Sequence, residues 1–165
     1  NYQQLGDVIH RALRKEGLGL IHTIGRNVAV PLDPWIEQRI FPGACPPSLR
    51  QMMDIFEPWD SSVLDVENLR LHYAETLRHW LQRYLDHIGE FRDQFDETFI
   101  RTWRLYLAGS VASFTAGSLQ LFQVVFSHAE NNSIPWTRAP LYARADRPAA
   151  AAGGGIPEAV DGGGS

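Results

Sequence analysis

The apolar run Leu18-Gly19-Leu20-Ile21 ends in His22-Thr23-Ile24-Gly25, which sets a titratable imidazole beside a glycine. This pattern reads as a buried strand delivering a functional side chain to its carboxyl end, where open α/β sheets gather their ligands. The same imidazole could equally be a satisfied core histidine. Tyr73 offers a second polar tip, on the apolar face of a helical pattern where a ring packs more often than it binds. His72, Glu75 and His79 fall at i, i+3 and i+7 of that helix. Seven residues is too long an interval for two metal ligands on adjacent turns, so this group reads as a solvated face, with no metal.

The elements that must position these groups follow from periodicity and punctuation. Asp7 to Arg14 puts Val8, Ile9, Ala12 and Leu13 on one helical face, with Gly17 as a left-handed cap. A strand is expected near residues 18–24. Residues 26–47 hold Pro31, Pro34, Pro42, Pro46 and Pro47, so an ordered loop with one short helix is expected. Ser48 then caps a helix to about Ile55, and Val63 to Val66 form a short strand before Asn68 caps the next helix.

Leu69, Tyr73, Leu77, Trp80, Leu81, Tyr84 and Ile88 recur at helical spacing, with Gly89 as the expected stop. A further helix carries Phe99, Trp103, Tyr106, Leu107, Val111 and Phe114 and ends at Gly117. Leu119, Leu121 and Phe122 to Phe126 have the aromatic and β-branched character of a final strand. Gln120 and Gln123 would point to opposite sides of it, and neither is assigned to catalysis. The aromatics of the two long helices suit either a tunnel for an acyl chain or an ordinary core. Residues 143–165, rich in Ala, Gly and Pro, are expected to form a disordered tail after a single unit at 1–142.

Composition narrows the function. The chain has 165 residues, 44% of them hydrophobic, with five Trp and eight Phe, enough for one core. Fifteen basic and 19 acidic residues are interspersed at a net charge of -4, which argues against a nucleic-acid partner. The single cysteine excludes an intramolecular disulfide. With no secretory pattern and no apolar run long enough to span a bilayer, a soluble, cytoplasmic protein is expected, and membrane-surface contact is compatible with that.

Several stretches occur together in a fixed order: His22-Thr23-Ile24-Gly25, Asp33-Pro34-Trp35-Ile36, Ile40-Phe41-Pro42-Gly43, Pro47-Ser48-Leu49-Arg50-Gln51, and His72-Tyr73-Ala74-Glu75-Thr76-Leu77 with Trp80. Phe99 to Leu107 and Leu119 to Phe126 complete the series, which covers roughly residues 2–142. In these motifs the chain resembles the cyclopropane-fatty-acyl-phospholipid synthases and mycolic acid cyclopropane synthases, which are S-adenosylmethionine-dependent methyltransferases. The resemblance implies the C-terminal part of a Rossmann-like α/β methyltransferase, with a helical cap between its last strands. The glycine clusters at 153–155 and 162–164 follow no strand and precede no helix, so they fail as a cofactor loop. That loop is expected upstream, and the chain alone is expected to be inactive.

The family adds the methyl of S-adenosylmethionine to a cis double bond of a lipid acyl chain, then removes a proton from the resulting carbocation to close a cyclopropane. Its base is a bound bicarbonate. By this resemblance His22, the backbone of Ile24 and the hydroxyl of Tyr73 hold that ion, and His22 and Tyr73 are the catalytic side chains of this portion. Such donors converge on an anion without bringing a competing carboxylate. Cys45 does not match the family's ion-binding cysteine and is read as structural. The resemblance further implies unsaturated phospholipid acyl chains as partners, peripheral membrane contact and a role in lipid biosynthesis, and it leaves a homodimer open. Two other readings stand beside it: a relative that methylates without closing a ring, on a fatty-acid carbon or a small-molecule nitrogen, and a non-catalytic helical interaction fragment.

Overall fold

The computed structural model describes residues 1–142; the tail expected at residues 143–165 lies outside the described residues. The chain divides into two units, Asn1–Ile134 and a second beginning at Pro135, of which a short helix at Ala139–Tyr142 is described. The first unit is a mixed α/β fold built around three strands.

Helix α1 (Tyr2–Ala12) starts earlier than its apolar face suggests, because the Asn1 side chain accepts a hydrogen bond from the Gln3 N–H and caps it. It ends where Leu13 turns extended, and Gly17 is not a left-handed cap. Strand β1 (Leu18–Gly25) follows at the expected place. The Pro-rich segment contains one short helix, α2 (Pro34–Arg39), whose first turn Asp33 caps through the N–H groups of Trp35 and Ile36. A capping box between Ser48 and Gln51 opens α3 (Leu49–Met52), which runs on as a 3-10 turn to Ile55. Strand β2 (Ser61–Asn68) is longer than expected and carries a register shift between Val63 and Asp65.

Asn68 then accepts from the Arg70 N–H at the start of α4 (Arg70–Asp86). This helix ends at His87, and Gly89, expected as its stop, lies inside the next short helix, α5 (Ile88–Arg92). Asp96 caps α6 (Glu97–Ala116), and Gly117 closes it at φ 82°, a left-handed cap. Strand β3 (Gln120–His128) is the middle of the sheet, order β1-β3-β2, antiparallel to both neighbours.

Alternation along β3 creates two cores. Phe122, Val124 and Phe126 pack with Met52, Ile55 and Phe56 on one face. Leu121 packs with Leu77, Tyr84, Leu107 and Phe114 of the α4–α6 pair on the other. Strand β1 is therefore not the buried strand that its apolar run suggests. Ile21 joins the first core and Ile24 the second, whereas Leu18 and Leu20 are 52% and 56% exposed, because the helical pair covers only the Ile24 end of their face. Gly19 permits the close approach of β3, since a Cβ there would fall within 2.2 Å of the Phe126 ring.

One side chain ties the two long helices together at the sheet. Arg70, in the first turn of α4, donates through one guanidinium nitrogen to the carbonyls of Phe114 and Thr115 at 2.6 and 2.8 Å. A cation there satisfies carbonyls left open at the end of α6 and complements the helix dipole. Arg70→Met is expected to lower stability by about 1–2 kcal/mol, read from urea denaturation. An unchanged midpoint would show that the clamp contributes nothing.

Candidate active site

A cavity of about 650 Å³ opens where the end of β1, the Pro-rich loop and the α4–α6 pair meet. Leu77, Ser110 and Phe114 form its buried floor. Phe41, Cys45 and Leu105 are exposed lining residues. On α6 the wall is low, because a Cβ at Gly109 would meet nothing within 4 Å. The loop is held over the site from its base, where the Arg26 N–H donates to Pro47 and the Arg26 guanidinium donates to Pro31.

Two of the three residues singled out by sequence line this cavity, Ile24 and Tyr73. The Tyr73 ring meets Phe114 edge-on at 4.8 Å and Trp80 at 6.1 Å. Burial, and secondarily the nearby Tyr106, pushes the Tyr73 phenol above its ordinary value, so the hydroxyl stays protonated and can donate. Ile24 contributes backbone. Leu121, its partner on β3, gives its carbonyl to the Leu69 N–H on the opposite side. In an antiparallel ladder this makes Ile24–Leu121 a pair without mutual hydrogen bonds, so the Ile24 N–H turns to the outer edge of β1.

His22 stands apart from the cavity wall. It is exposed, two residues before Ile24 on the same face of β1, and its Nδ1 lies 3.0 Å from the Nε2 of Gln123 directly across the ladder. With that amide donating to Nδ1, the neutral ring carries its proton on Nε2, which becomes a donor.

Sequence reasoning missed Gln123 in this role, because its approach to His22 depends on the register of strands about 100 positions apart. It also missed Arg26, a cation lining the cavity whose Nε is buried with no hydrogen-bond partner. Cys45, read as structural, is an exposed thiol that lines the cavity. Among the described residues lining the cavity Asp33 is the one carboxylate, and its Oδ1 already accepts the two N–H groups that begin α2.

The aromatics of the two long helices, read as either a tunnel or an ordinary core, divide between two places. Tyr73, Tyr106 and Phe114 line the cavity, but Trp80 and Trp103, 41% and 37% exposed, line a separate open cleft of about 480 Å³. Phe99 stacks on Trp103 at the surface. Glu75 pairs with Arg78 at 2.7 Å and with His79 at 3.5 Å on an exposed face of α4.

Tyr73, Tyr84 and Tyr106 all have phenols raised above the ordinary 10.0, in each case chiefly by burial. A raised phenol stabilises the fold fully below the unfolded value, and that contribution is lost as pH climbs through the folded value. The denaturation midpoint is therefore expected to hold up to about pH 10 and to fall above it, with tyrosinate absorbance appearing as the protein unfolds. Ionisation of all the phenols with no loss of stability would contradict this.

A family model described as mycolic acid cyclopropane synthetase matches residues 1–124. The cyclopropane-fatty-acyl-phospholipid synthase of Escherichia coli (strain K12) is 38% identical over 135 residues, 81% of this chain and 35% of that protein. A probable fatty acid methyltransferase of Pseudomonas putida is 34% identical over 140 residues, 79% of this chain and 36% of that protein. The chain thus spans about a third of the length of these relatives. Among solved structures, the mycolic acid cyclopropane synthase CmaA1 complexed with SAH and CTAB matches with a TM-score of 0.68 at 24% identity, covering 76% of this chain and 49% of that one. The fold is that of part of a methyltransferase, and the chain belongs to the mycolic acid cyclopropane synthetase family.

Proposed function

We propose that this chain is the acyl-binding and anion-holding portion of an S-adenosylmethionine-dependent cyclopropane-fatty-acyl-phospholipid synthase. The observation that carries the reading is the edge-facing N–H of Ile24, set with the protonated hydroxyl of Tyr73 on an apolar-floored cavity. When bound, S-adenosylmethionine supplies the methyl group and bicarbonate supplies the base.

The donor set suits a small oxyanion. Ile24 offers a backbone N–H, Tyr73 an O–H and His22 its Nε2–H, while Asp33 spends its Oδ1 on capping α2. The floor of Leu77 and Phe114 excludes water from an alkyl chain, and the rings of Tyr73, Tyr106 and Phe114 present π faces that attract a developing cation. Support for a long-chain ligand comes from the CTAB in the CmaA1 complex. No helix among the described residues is long and apolar enough to cross a membrane, so phospholipid would be reached by peripheral contact.

The cofactor-binding segment is assigned to sequence upstream of this portion, which makes the chain inactive alone. A second reading, transfer of a methyl branch without ring closure, is favoured by the name of the Pseudomonas putida relative.

The test joins the chain to the upstream part of the Escherichia coli relative and supplies unsaturated phospholipid vesicles, S-adenosylmethionine and bicarbonate. Mass spectrometry should find chains longer by one methylene and closed as a ring, with product lost in His22→Ala and reduced at least about tenfold in Tyr73→Phe. The 165-residue chain by itself should make none. Methyl-branched products would establish the second reading, and unmodified lipid from a folded chimera would overturn both.

A further inference from the structure

Gln123 touches the proposed donor set but has no part in the reading above. It stands on β3, the middle strand, between Phe122 and Val124, which are both buried in the first core. Its backbone is therefore fixed, and its half-buried side chain projects with Leu121 and Val125 on the helical face of the sheet. His22 is placed differently: it is exposed, on an edge strand, and its ring is held by Gln123.

The register makes this contact. Leu121 turns its carbonyl toward Leu69, and Gln123, two residues on, turns its backbone the same way. His22 and Gln123 thus form a pair without mutual backbone hydrogen bonds, the kind in which side chains come closer. The amide Nε2 of Gln123 reaches the ring Nδ1 at 3.0 Å. An amide nitrogen only donates, so Nδ1 accepts and the neutral ring carries its proton on Nε2. The two ring nitrogens face nearly opposite ways. A ring held at Nδ1 from β3 therefore turns its Nε2–H away from β3, toward the outer edge of β1 to which the Ile24 N–H also points.

We propose that Gln123 is a positioning residue that fixes the tautomer and heading of His22, making it a hydrogen-bond donor to the bound anion and not the base that takes the proton. The inference rests on the reading above for the anion and the reaction, and on the strand register alone for the tautomer. Without the amide, an exposed imidazole takes up both tautomers and several rotamers, and Nε2 is then bare or misdirected for part of the time.

Two measurements test this. The first reads the 15N shifts of the His22 ring in the 165-residue chain, in mildly alkaline buffer where the ring is neutral. Wild type is expected to show a bare Nδ1 and a protonated Nε2. Gln123→Leu should show a mixture of tautomers, and Gln123→Glu should draw the proton toward Nδ1, since a carboxylate only accepts. The second uses the chimera with the upstream part of the Escherichia coli relative. In Gln123→Leu the bicarbonate concentration for half-maximal rate should rise roughly three- to tenfold, the worth of one neutral hydrogen bond. The KM for phospholipid should change by less than about twofold, because the amide acts on the anion through His22 and not on the acyl chain.

The wild-type spectrum requires no variant to fold. A wild-type ring with its proton on Nδ1, which would mean an amide turned round with its nitrogen toward Glu67 across the ladder on β2, would overturn the proposal. Equal tautomer ratios in wild type and Gln123→Leu would also overturn it, as would an unchanged bicarbonate requirement or an equal loss for bicarbonate and lipid. A chimera that makes no product with Gln123 in place would instead remove the proposed function, while the ring shifts of the chain still decide the tautomer.

Discussion

Strand β3 is the constraint on which the rest depends. Its residues alternate between two cores, so the strand can sit nowhere but in the middle of the sheet, with α1, α3 and the 3-10 turn that continues it on one side and the α4–α6 pair on the other. A slip of one residue would turn Phe122, Val124 and Phe126 onto the helical side and strand Leu121 among the turns. The same register sets Gln123 opposite His22 and leaves Ile24 opposite Leu121 without a mutual hydrogen bond. The polar geometry of the site is therefore a consequence of apolar packing, and the edge-facing N–H of Ile24 follows from where the Phe side chains must go.

The helical pair builds the other half. Its inner residues complete the second core beside Leu121, and the same faces, continued past the end of the sheet, become the floor and rings of the cavity. Arg70 fixes the two helices to each other at that end. The cavity is thus apolar below and rich in donors beside β1, with a single cation and one carboxylate, bonded through its Oδ1, among the described residues of its lining. An alkyl chain and a small anion make opposite demands on a site, and this division meets both.

Local chemistry was legible in the sequence where it is local in space. Gly117 closes α6, and Ser48 opens α3, because caps act within one turn of their own residue. Tyr73, Leu77 and Phe114 were found by helical periodicity and do line the cavity. What depends on a partner far along the chain was hidden. The apolar run of β1 reads as buried, yet Leu18 and Leu20 lie open, since no local signal says that the helices stop short of them. Gly89 reads as a stop but sits within α5, because His87 ends α4 first. Arg26 could not be recognised either, as its burial depends on how the Pro-rich loop folds back to Pro31 and Pro47. The motif series covering His22, Ile24 and Tyr73 carried the family; it could not say that His22 would stand outside the cavity wall that the other two share.

The central claim is that an anion is held by β1 beside a chain-filled cavity, and the amide of Ile24 reports on it most directly. Its N–H faces the edge, whereas by the same alternation that of Thr23 is bonded to β3. Bicarbonate would be titrated into the 15N-labelled chain saturated with oleyl alcohol, and the amide resonances followed. The account requires a saturable shift of Ile24 with a much smaller one at Thr23. An Ile24 amide that stays still, or one that moves no more than Thr23, would contradict it.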